Sequence, residues 1–266
     1  MGIVHTRGFR PHIARESRWY WPLAASLARF DVLTRFPTAE ELSALYRERS
    51  AELALPSLRF VEAQKSKRKR RRGVTVDLSE LYEGRIVERG EVPTRPDDWH
   101  DFFNALSFIT FPRAKRALHA RQYSIFRARV APTATRLPNA RTREQDALSL
   151  FDEGGLCIAA SGELAQALRD CDEEALSEAL TSGAAYALPF GHALYEHLVA
   201  ELPSPLATAY VVAVPAALER ASRSALLSEV DAALALALAS PREFCEPSGA
   251  RGSSLAALPT RIPAHE

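Results

Sequence analysis

The stretch TRPDDWHDFFNALSFITFPRAKRALHAR, residues 94–121, places polar side chains inside the most aromatic part of the chain. His100, Asp101 and Asn104 alternate there with aromatic and aliphatic residues. On a helix, His100 and Asn104 are four positions apart and share a face, and Asp101 lies at the edge of that face. A buried polar group without a partner costs about 1–3 kcal/mol. The sequence therefore predicts that either the fold or a ligand supplies partners to these three groups.

The same stretch predicts two consecutive helices, and the rest of the fold can be assembled around them. Asp97 or Asp98 can cap a first helix that runs to about Phe108, and Pro112 suits the first turn of the next helix. Capping and periodicity predict further helices near residues 39–52, 162–170, 172–182, 191–202 and 223–239. Short runs of strand-forming residues predict strands at 58–63, 122–130 and 208–214 and extended segments within 82–95.

The segment DALSLFDEGGLCIAAS, residues 146–161, has two apolar halves around a Glu-Gly-Gly turn, and we predict a β-hairpin there. Because strands and helices do not alternate regularly, we expect an α+β fold, a single mainly helical domain with a small, mostly antiparallel sheet. Residues 1–54 are expected to form a helical segment packed on the core. Residues 55–240 are expected to form the core domain, and 241–266 a disordered tail.

Composition argues against several classes of protein. The chain has 266 residues, of which 47% are hydrophobic and 25% charged, and its net charge is +1. Such a charge gives no global attraction to nucleic acid or to a membrane surface, and no apolar run approaches the ~20 residues that span a bilayer. Three cysteines without CxxC spacing, and a first segment without an apolar core, indicate a cytoplasmic protein. The basic run at residues 65–72 gives weak support for nucleic-acid contact and is more typical of a solvated loop.

Two further patterns point to chemistry. In the predicted hairpin, strand alternation places Asp146 and Asp152 on one face, where they can hold a metal, act as an acid–base pair or receive arginines. His192 and Glu196 have helical i,i+4 spacing, which suits either two metal ligands or a simple hydrogen-bonded pair. Both patterns leave a structural ion pair as an open alternative.

Basic residues near these blocks form a candidate anion site. Arg113 and Lys115 follow Pro112 at a helix N-terminus, where free N–H groups and two cations attract anions. Ordinary solvated side chains would explain either residue alone. The sequence contains no nucleophile elbow, P-loop, dinucleotide-binding glycine motif or HExxH zinc motif.

Several separate blocks match one family in the same order. They are YEGRI (82–86), VPTR (92–95), WHDFFNAL (99–106), FPRAK (111–115), RTREQDALSLFDEGG (141–155) and FGHAL (190–194). Over roughly residues 55–200 the chain resembles the bacterial family catalogued as domain of unknown function 3025. This resemblance implies a shared fold and no particular activity. The stretch NALSFITFPRAKRAL also resembles a segment of some HNH-type (ββα-metal) nucleases, in which an upstream histidine activates water and an asparagine helps to hold the motif.

The sequence supports hypotheses from different functional classes. The first is a hydrolase-type enzyme for an anionic, phosphate-bearing substrate, for which a divalent metal is a candidate cofactor. Its candidate catalytic residues are His100, Asp101, Asn104, Asp146 and Asp152, its anion-binding candidates are Arg95, Arg113, Lys115 and Arg143, and its additional candidates are Glu153 and His192. The second is a noncatalytic module that binds an anion or a partner through the same blocks, and a degenerate HNH-like nuclease is a further alternative. A buried structural network would explain these residues without any ligand.

Overall fold

The fold was analysed in a computed structural model. It describes residues 8–63, 74–169, 173–202, 206–215, 222–247, 251–254, 258–259 and 262–263, so the basic run at 65–72 lies outside the described residues. The helices are α1 Ala24–Ala28, α2 Ala39–Glu52, α3 Tyr82–Arg89, α4 Trp99–Thr110, α5 Pro112–Arg129, α6 Arg143–Gly154, α7 Gly162–Arg169, α8 Glu173–Ser182, α9 His192–Val199 and α10 Arg223–Ala239. The strands are β1 Arg59–Glu62, β2 Glu91–Thr94, β3 Gly155–Ser161, β4 Ala185–Pro189, β5 Leu206–Val214 and β6 Arg251–Ser254.

Helices predominate, and the strands form two small sheets. The larger sheet has the order β4-β3-β5-β6, in which β3 is antiparallel to β4 and parallel to β5, and β5 is antiparallel to β6. A separate parallel pair joins β1 to β2. The α+β class predicted from the sequence is confirmed. Two of the three pairings in the larger sheet are antiparallel, while its longest ladder is the parallel one.

The predicted hairpin at residues 146–161 is wrong, because the first half of that segment is α6 and only the second half is a strand. Thr142 and Gln145 form a capping box that starts the helix, each side chain bonding the other's backbone N–H. Ala147, Leu148 and Phe151 are buried at helical spacing. Helical spacing also means that the two aspartates of this segment do not share a strand face.

Two other predicted extended segments are helical. Of the predicted strand 122–130, residues 122–129 continue α5, which runs unbroken to Arg129 and buries Leu118 and Tyr123. Residues 82–89 form α3, which ends at Gly90 in the left-handed conformation, with φ of 62°. Only the following residues, Glu91–Thr94, are extended, as β2.

The C-terminal region contributes to the fold, contrary to the expected disordered tail. Residues Arg251–Ser254 form β6 on the edge of β5. The buried Arg121 guanidinium donates hydrogen bonds to the carbonyl oxygens of Leu238, Ser240 and Glu243, which fixes the chain just after α10. Structured backbone therefore continues beyond residue 240.

The aromatic helix α4 lies at the centre of the molecule. From Phe102 to Thr110 every one of its side chains is buried. The N-terminal segment covers it, since the Tyr20 ring stacks on Phe103 with centroids 5.9 Å apart. The neighbouring Trp21 indole donates a hydrogen bond to the carbonyl oxygen of Ala187 in β4. Only the first turn of α4 reaches the surface, and that turn carries the polar residues of interest.

Candidate metal centre and adjoining pocket

The first turn of α4 lies close to three other helix ends. They are the start of α5, the end of α6 and the start of α9. Two glycines permit the contact between α6 and α9. A methyl group on Gly191 would lie 2.4 Å from both the Glu153 carbonyl oxygen and the Gly155 nitrogen, and the Gly191 N–H donates to the Gly155 carbonyl oxygen at 2.9 Å. This close backbone approach brings His192, the first residue of α9, against the last turn of α6.

The imidazole of His100 is held between a carboxylate and a second imidazole. Its Nδ1–H donates to Glu196 Oε2 over 3.0 Å, since an ionised carboxylate can only accept. Its Nε2 lies 3.1 Å from Nε2 of His192. The hydrogen bond to Glu196 raises the pKa of His100, against the opposing effect of partial burial. Because Glu196 accepts the hydrogen bond from Nδ1–H, it fixes the tautomer of His100 in which the Nε2 lone pair faces His192.

The second imidazole faces a third donor atom. His192 Nε2 lies 3.4 Å from Glu153 Oε2. Burial lowers the pKa of His192 to about 3, so its ring is neutral at physiological pH and one ring nitrogen keeps its lone pair. The ligand atoms of His100, Glu153 and His192 all lie within 4.8 Å of one another.

Two of the three donor-atom separations are close to those of a tetrahedral ion, and the third is at most 4.8 Å. With zinc-to-ligand distances of about 2.05 Å, neighbouring ligand atoms of a tetrahedral site are about 3.3 Å apart. The observed separations between donor atoms are 3.1 and 3.4 Å. The carboxylate end remains open to solvent, because the Glu153 side chain is 52% exposed. The carboxylates of Glu153 and Glu196 give this cluster the negative charge that a divalent cation requires.

A buried ion pair lies behind the cluster and ties its helices together. The Lys115 side chain has no exposed surface, and its ammonium donates to Asp152 Oδ1 at 2.5 Å and to Asn104 Oδ1 at 2.9 Å. The ammonium also lies 4.7 Å from the centroid of the Phe108 ring. Burial opposes ionisation of Asp152, but the Lys115 ammonium outweighs it and holds the pKa of that carboxyl well below its usual range. Lys115 thus links the helix of His100 to that of Glu153.

The network continues from Asn104 into a cavity. The Asn104 amide donates to the Tyr82 hydroxyl at 2.8 Å, and Tyr82 borders a cavity of about 590 Å³. The cavity is lined by Tyr82, Glu83, His119, Gln122, Arg141, Asp146, Ser149, Leu150, Asp152, Glu153 and Pro247. It shares Glu153 with the three-ligand cluster, so the two features adjoin.

Six of the residues predicted from the sequence therefore come together around one centre. They are His100, Asn104, Lys115, Asp152, Glu153 and His192. Asp146 lines the adjoining cavity. Asp101 takes another role, because its carboxylate accepts from the Arg95 backbone N–H at 2.6 Å and from the Arg95 guanidinium at 2.9 Å.

The four cations predicted to bind an anion are each paired with a carboxylate. Arg95 pairs with Asp101, and Lys115 pairs with Asp152. Arg113 lies 3.7 Å from the buried Asp231, and Arg143 lies 2.9 Å from Glu246. Carboxylates of the protein itself thus pair with the four cations that the anion-site hypothesis requires.

Sequence reasoning did not place Tyr82 or His119 beside this cavity, and it misjudged the partner of Glu196. Tyr82 and His119 border the cavity, but no spacing pattern links them to the other blocks. Glu196 was paired with His192 because of their i,i+4 spacing, whereas its carboxylate bonds His100 on another helix. Only the contact between α4 and α9 reveals this partner.

The fold and the clustered side chains define an α+β protein with a polar centre formed by helix ends. A family model described as "Protein of unknown function (DUF3025)" matches residues 59–260, and the chain belongs to this family. The match begins at β1 and extends past β6. Comparison with curated proteins and with solved structures finds no significant match in either set. Among the described residues, every helix is too short or too polar to span a bilayer.

Proposed function

We propose that the chain is a hydrolase-type, metal-dependent enzyme that binds a divalent ion through His100, Glu153 and His192. The observation that carries this proposal is the convergence of two Nε2 atoms and one carboxylate oxygen within 4.8 Å of one another. Two histidines and one carboxylate form a common catalytic zinc set, in which three protein ligands leave the fourth position to water or substrate. A divalent ion held by these three residues would lower the pKa of bound water and polarise a substrate oxygen.

The surrounding residues suit such a centre. Glu196 accepts from the outer nitrogen of His100, as second partners of metal-bound imidazoles do, and so orients the ring. The backbone of α9 carries both His192 and Glu196, so one helix supplies a ligand and the support for another. The exposed side of Glu153 gives substrate access, while the buried Lys115–Asp152 pair keeps the inner wall rigid. We place the enzyme in the cytoplasm, where free thiols such as those of Cys157 and Cys245 are usual.

The phosphate-bearing substrate expected from the sequence receives less support than the metal centre. The four cations that would clamp a phosphate are engaged by carboxylates. A phosphate would therefore have to bind through the ion itself. A noncatalytic metal- or anion-binding module remains the alternative, and an HNH-like nuclease is disfavoured. In the ββα arrangement two strands precede the helix, whereas α4 follows the order α3–β2.

Metal analysis tests the proposal directly. We expect chelator-treated protein to bind one Zn²⁺ per chain in isothermal titration, and single variants His100→Ala, Glu153→Ala and His192→Ala to lose at least about tenfold in affinity. The matched control is His12→Ala, because His12 also pairs with a carboxylate, Asp31, but outside the cluster. Circular dichroism would verify that each variant is folded.

Three results would count against the proposal or a part of it. Absence of stoichiometric binding of Zn²⁺, Mn²⁺ and Co²⁺ would remove the metal centre. Equal affinity in the wild type and all three ligand variants would place the ion elsewhere. Stoichiometric metal without turnover of phosphoester, carboxylic ester or amide substrates would leave the binding-module alternative in place of an enzyme.

A further inference from the structure

A single arginine holds both acidic residues in the first turn of α4. Asp98 caps the helix, and its Oδ1 accepts from the backbone N–H of Asp101 at 3.0 Å. The Asp101 carboxylate accepts from the Arg95 backbone N–H at 2.6 Å and from Nε and Nη2 of its guanidinium at 3.0 and 2.9 Å. The same guanidinium lies 3.3 Å from the Asp98 carboxylate. Arg95 thus ties the first turn of α4 to the chain that leads into it.

His100 lies between two anchored neighbours in that turn. On one side Trp99 is 6% exposed, and its ring lies 4.8 Å from that of Phe36. On the other side the Asp101 side chain is 13% exposed and is held by the guanidinium. Helix ends fray, so a ligand in a first turn is placed only as accurately as the contacts that hold the turn. The imidazole that meets Glu196 and the metal cluster therefore depends on both neighbours.

A second helix of the same chain begins with the same arrangement. The segments RFPTAEE (35–41) and RPDDWHD (95–101) each have an arginine, a capping residue three positions later and an acidic residue three positions after the cap. In α2 the Arg35 guanidinium donates to both carboxylate oxygens of Glu41 at 2.8 and 2.9 Å, and Thr38 is the cap. No residue of α2 belongs to the three-ligand cluster. The protein therefore contains its own comparison between capping a helix and placing a ligand.

We propose that Arg95 is a positioning residue of the metal centre. It holds Asp98 and Asp101, and so fixes the turn in which Nε2 of His100 faces His192. This inference rests on the proposed function, because it assumes that an ion binds at His100. It gives Arg95 a role other than the anion binding predicted from the sequence. The role also has a distinctive sign, since by charge alone a nearby guanidinium repels a metal cation.

Isothermal titration with zinc uses that sign. Arg95→Met removes a positive charge, which by itself strengthens zinc binding, yet loss of positioning should weaken it about tenfold, the lower end of the range for supporting residues of metal ligands. The double variant Arg95→Met/Asp101→Asn removes one charge of each sign, so the net charge is unchanged and zinc binding should again weaken. Wild-type or tighter affinity in both variants would overturn the proposal.

The matched controls are Arg35→Met and Arg35→Met/Glu41→Gln in α2. They break an equivalent arginine–carboxylate pair at a helix start, so their melting temperatures should fall by amounts similar to those of the α4 variants. Their zinc affinity should remain that of the wild type. An equal loss of zinc affinity in the α2 and α4 variants would overturn the proposal, because loss of helix capping in general would then explain the effect.

Cobalt adds a readout that stability alone does not change. The visible spectrum of Co²⁺-loaded protein reports the geometry of the ligands around the ion. The spectrum of Arg95→Met/Asp101→Asn should differ from that of the wild type, whereas that of Arg35→Met/Glu41→Gln should superimpose on it. Identical spectra in the wild type and the α4 variant, both saturated with cobalt, would contradict the positioning role.

Hydrogen exchange in chelator-treated protein separates this inference from the proposed function. The backbone amides of Asp101 and Phe102 both bond Asp98, and Arg95→Met should speed their exchange. Unchanged exchange would show that Arg95 does not hold the turn, whether or not zinc binds. Faster exchange in a protein whose wild type binds no zinc would overturn the metal centre and leave Arg95 with a capping role alone. If the wild type binds zinc and the Arg95 variants bind it equally well, the metal centre stands and the positioning role is wrong.

Discussion

Replacing Lys115 by methionine would test whether the buried ion pair organises the centre. Methionine keeps most of the unbranched stem, so the packing loss is small. The ammonium is lost, which leaves Asp152 without a counter-charge and Asn104 Oδ1 without a donor. Breaking a buried pair in this way costs about 3–5 kcal/mol. We therefore expect the free energy of unfolding to fall by that amount.

A second substitution separates the charge effect from packing. Asp152→Asn in the Lys115→Met background removes the stranded carboxylate, so the double variant should regain about 1–3 kcal/mol over Lys115→Met. The assay is urea unfolding followed by circular dichroism, with linear extrapolation to water. The control is Arg29→Met, which breaks the exposed pair with Glu48 and should cost less than about 1 kcal/mol.

The reasoning about Lys115 would be refuted by either of two results. One is a loss below about 1 kcal/mol for Lys115→Met, which would mean that solvent replaces the ammonium freely. The other is a double variant less stable than Lys115→Met, which would mean that Asp152 stabilises the fold without its partner. A metal titration on the same variant adds a functional readout, since loss of a supporting residue typically weakens metal affinity 10–100-fold.

Three further predictions concern the glycine contact, a buried acid and the ion. Gly191→Ala should push α9 from α6 and reduce zinc affinity more than tenfold, and unchanged affinity in isothermal titration would contradict the close approach measured at this residue. Burial raises the pKa of Asp231 to about 6, above its unfolded value near 3.9. Between these two values the folded protein binds a proton that the unfolded chain does not. The free energy of unfolding should therefore fall by up to about 3 kcal/mol as the pH rises from 4 to 6. Asp231→Asn should flatten that part of the urea-midpoint profile, and an unaltered slope would argue against this assignment. Chelation of a bound ion at 100 times its Kd should remove about 2.7 kcal/mol of stability, and an identical melting temperature with and without Zn²⁺ would speak against binding to the native state.

Local signals in the sequence were sufficient for many elements. Capping signals predicted α2, which begins with a capping box of Thr38 and Glu41. Asp97 or Asp98 was expected to cap α4, and Asp98 does so, while Pro112 starts α5 as expected. Residues 146–154 were misassigned because a short apolar run is compatible with both strand and helix spacing, and the burial of Leu148 and Phe151 settles it only in three dimensions. Tertiary packing, and not the local sequence pattern, therefore identifies residues 146–154 as helical.

The candidate site was predictable in its residues but not in its pairings. The blocks around His100 and His192 were selected by residue type, whereas the partners of the cations lie far along the chain. Arg113 and Asp231 are 118 residues apart, a separation that no local pattern spans. One compositional signal was available, since Lys115 is the only one of four lysines outside the basic run at 65–72. A compact ammonium fits the closed space between Phe108 and Asp152 better than a forked guanidinium would.

The ligands of the proposed centre all lie on end turns of helices whose backbones are packed against the core. The second residue of α4, the penultimate residue of α6 and the first residue of α9 supply them. The conformational entropy of placing these backbone positions is consequently lost when the polypeptide folds, not when an ion arrives. An insertion in the surface loop between α5 and α6 would lengthen the chain without moving a ligand atom of His100, Glu153 or His192. This loop is therefore a suitable place to insert a reporter domain while preserving the proposed metal centre.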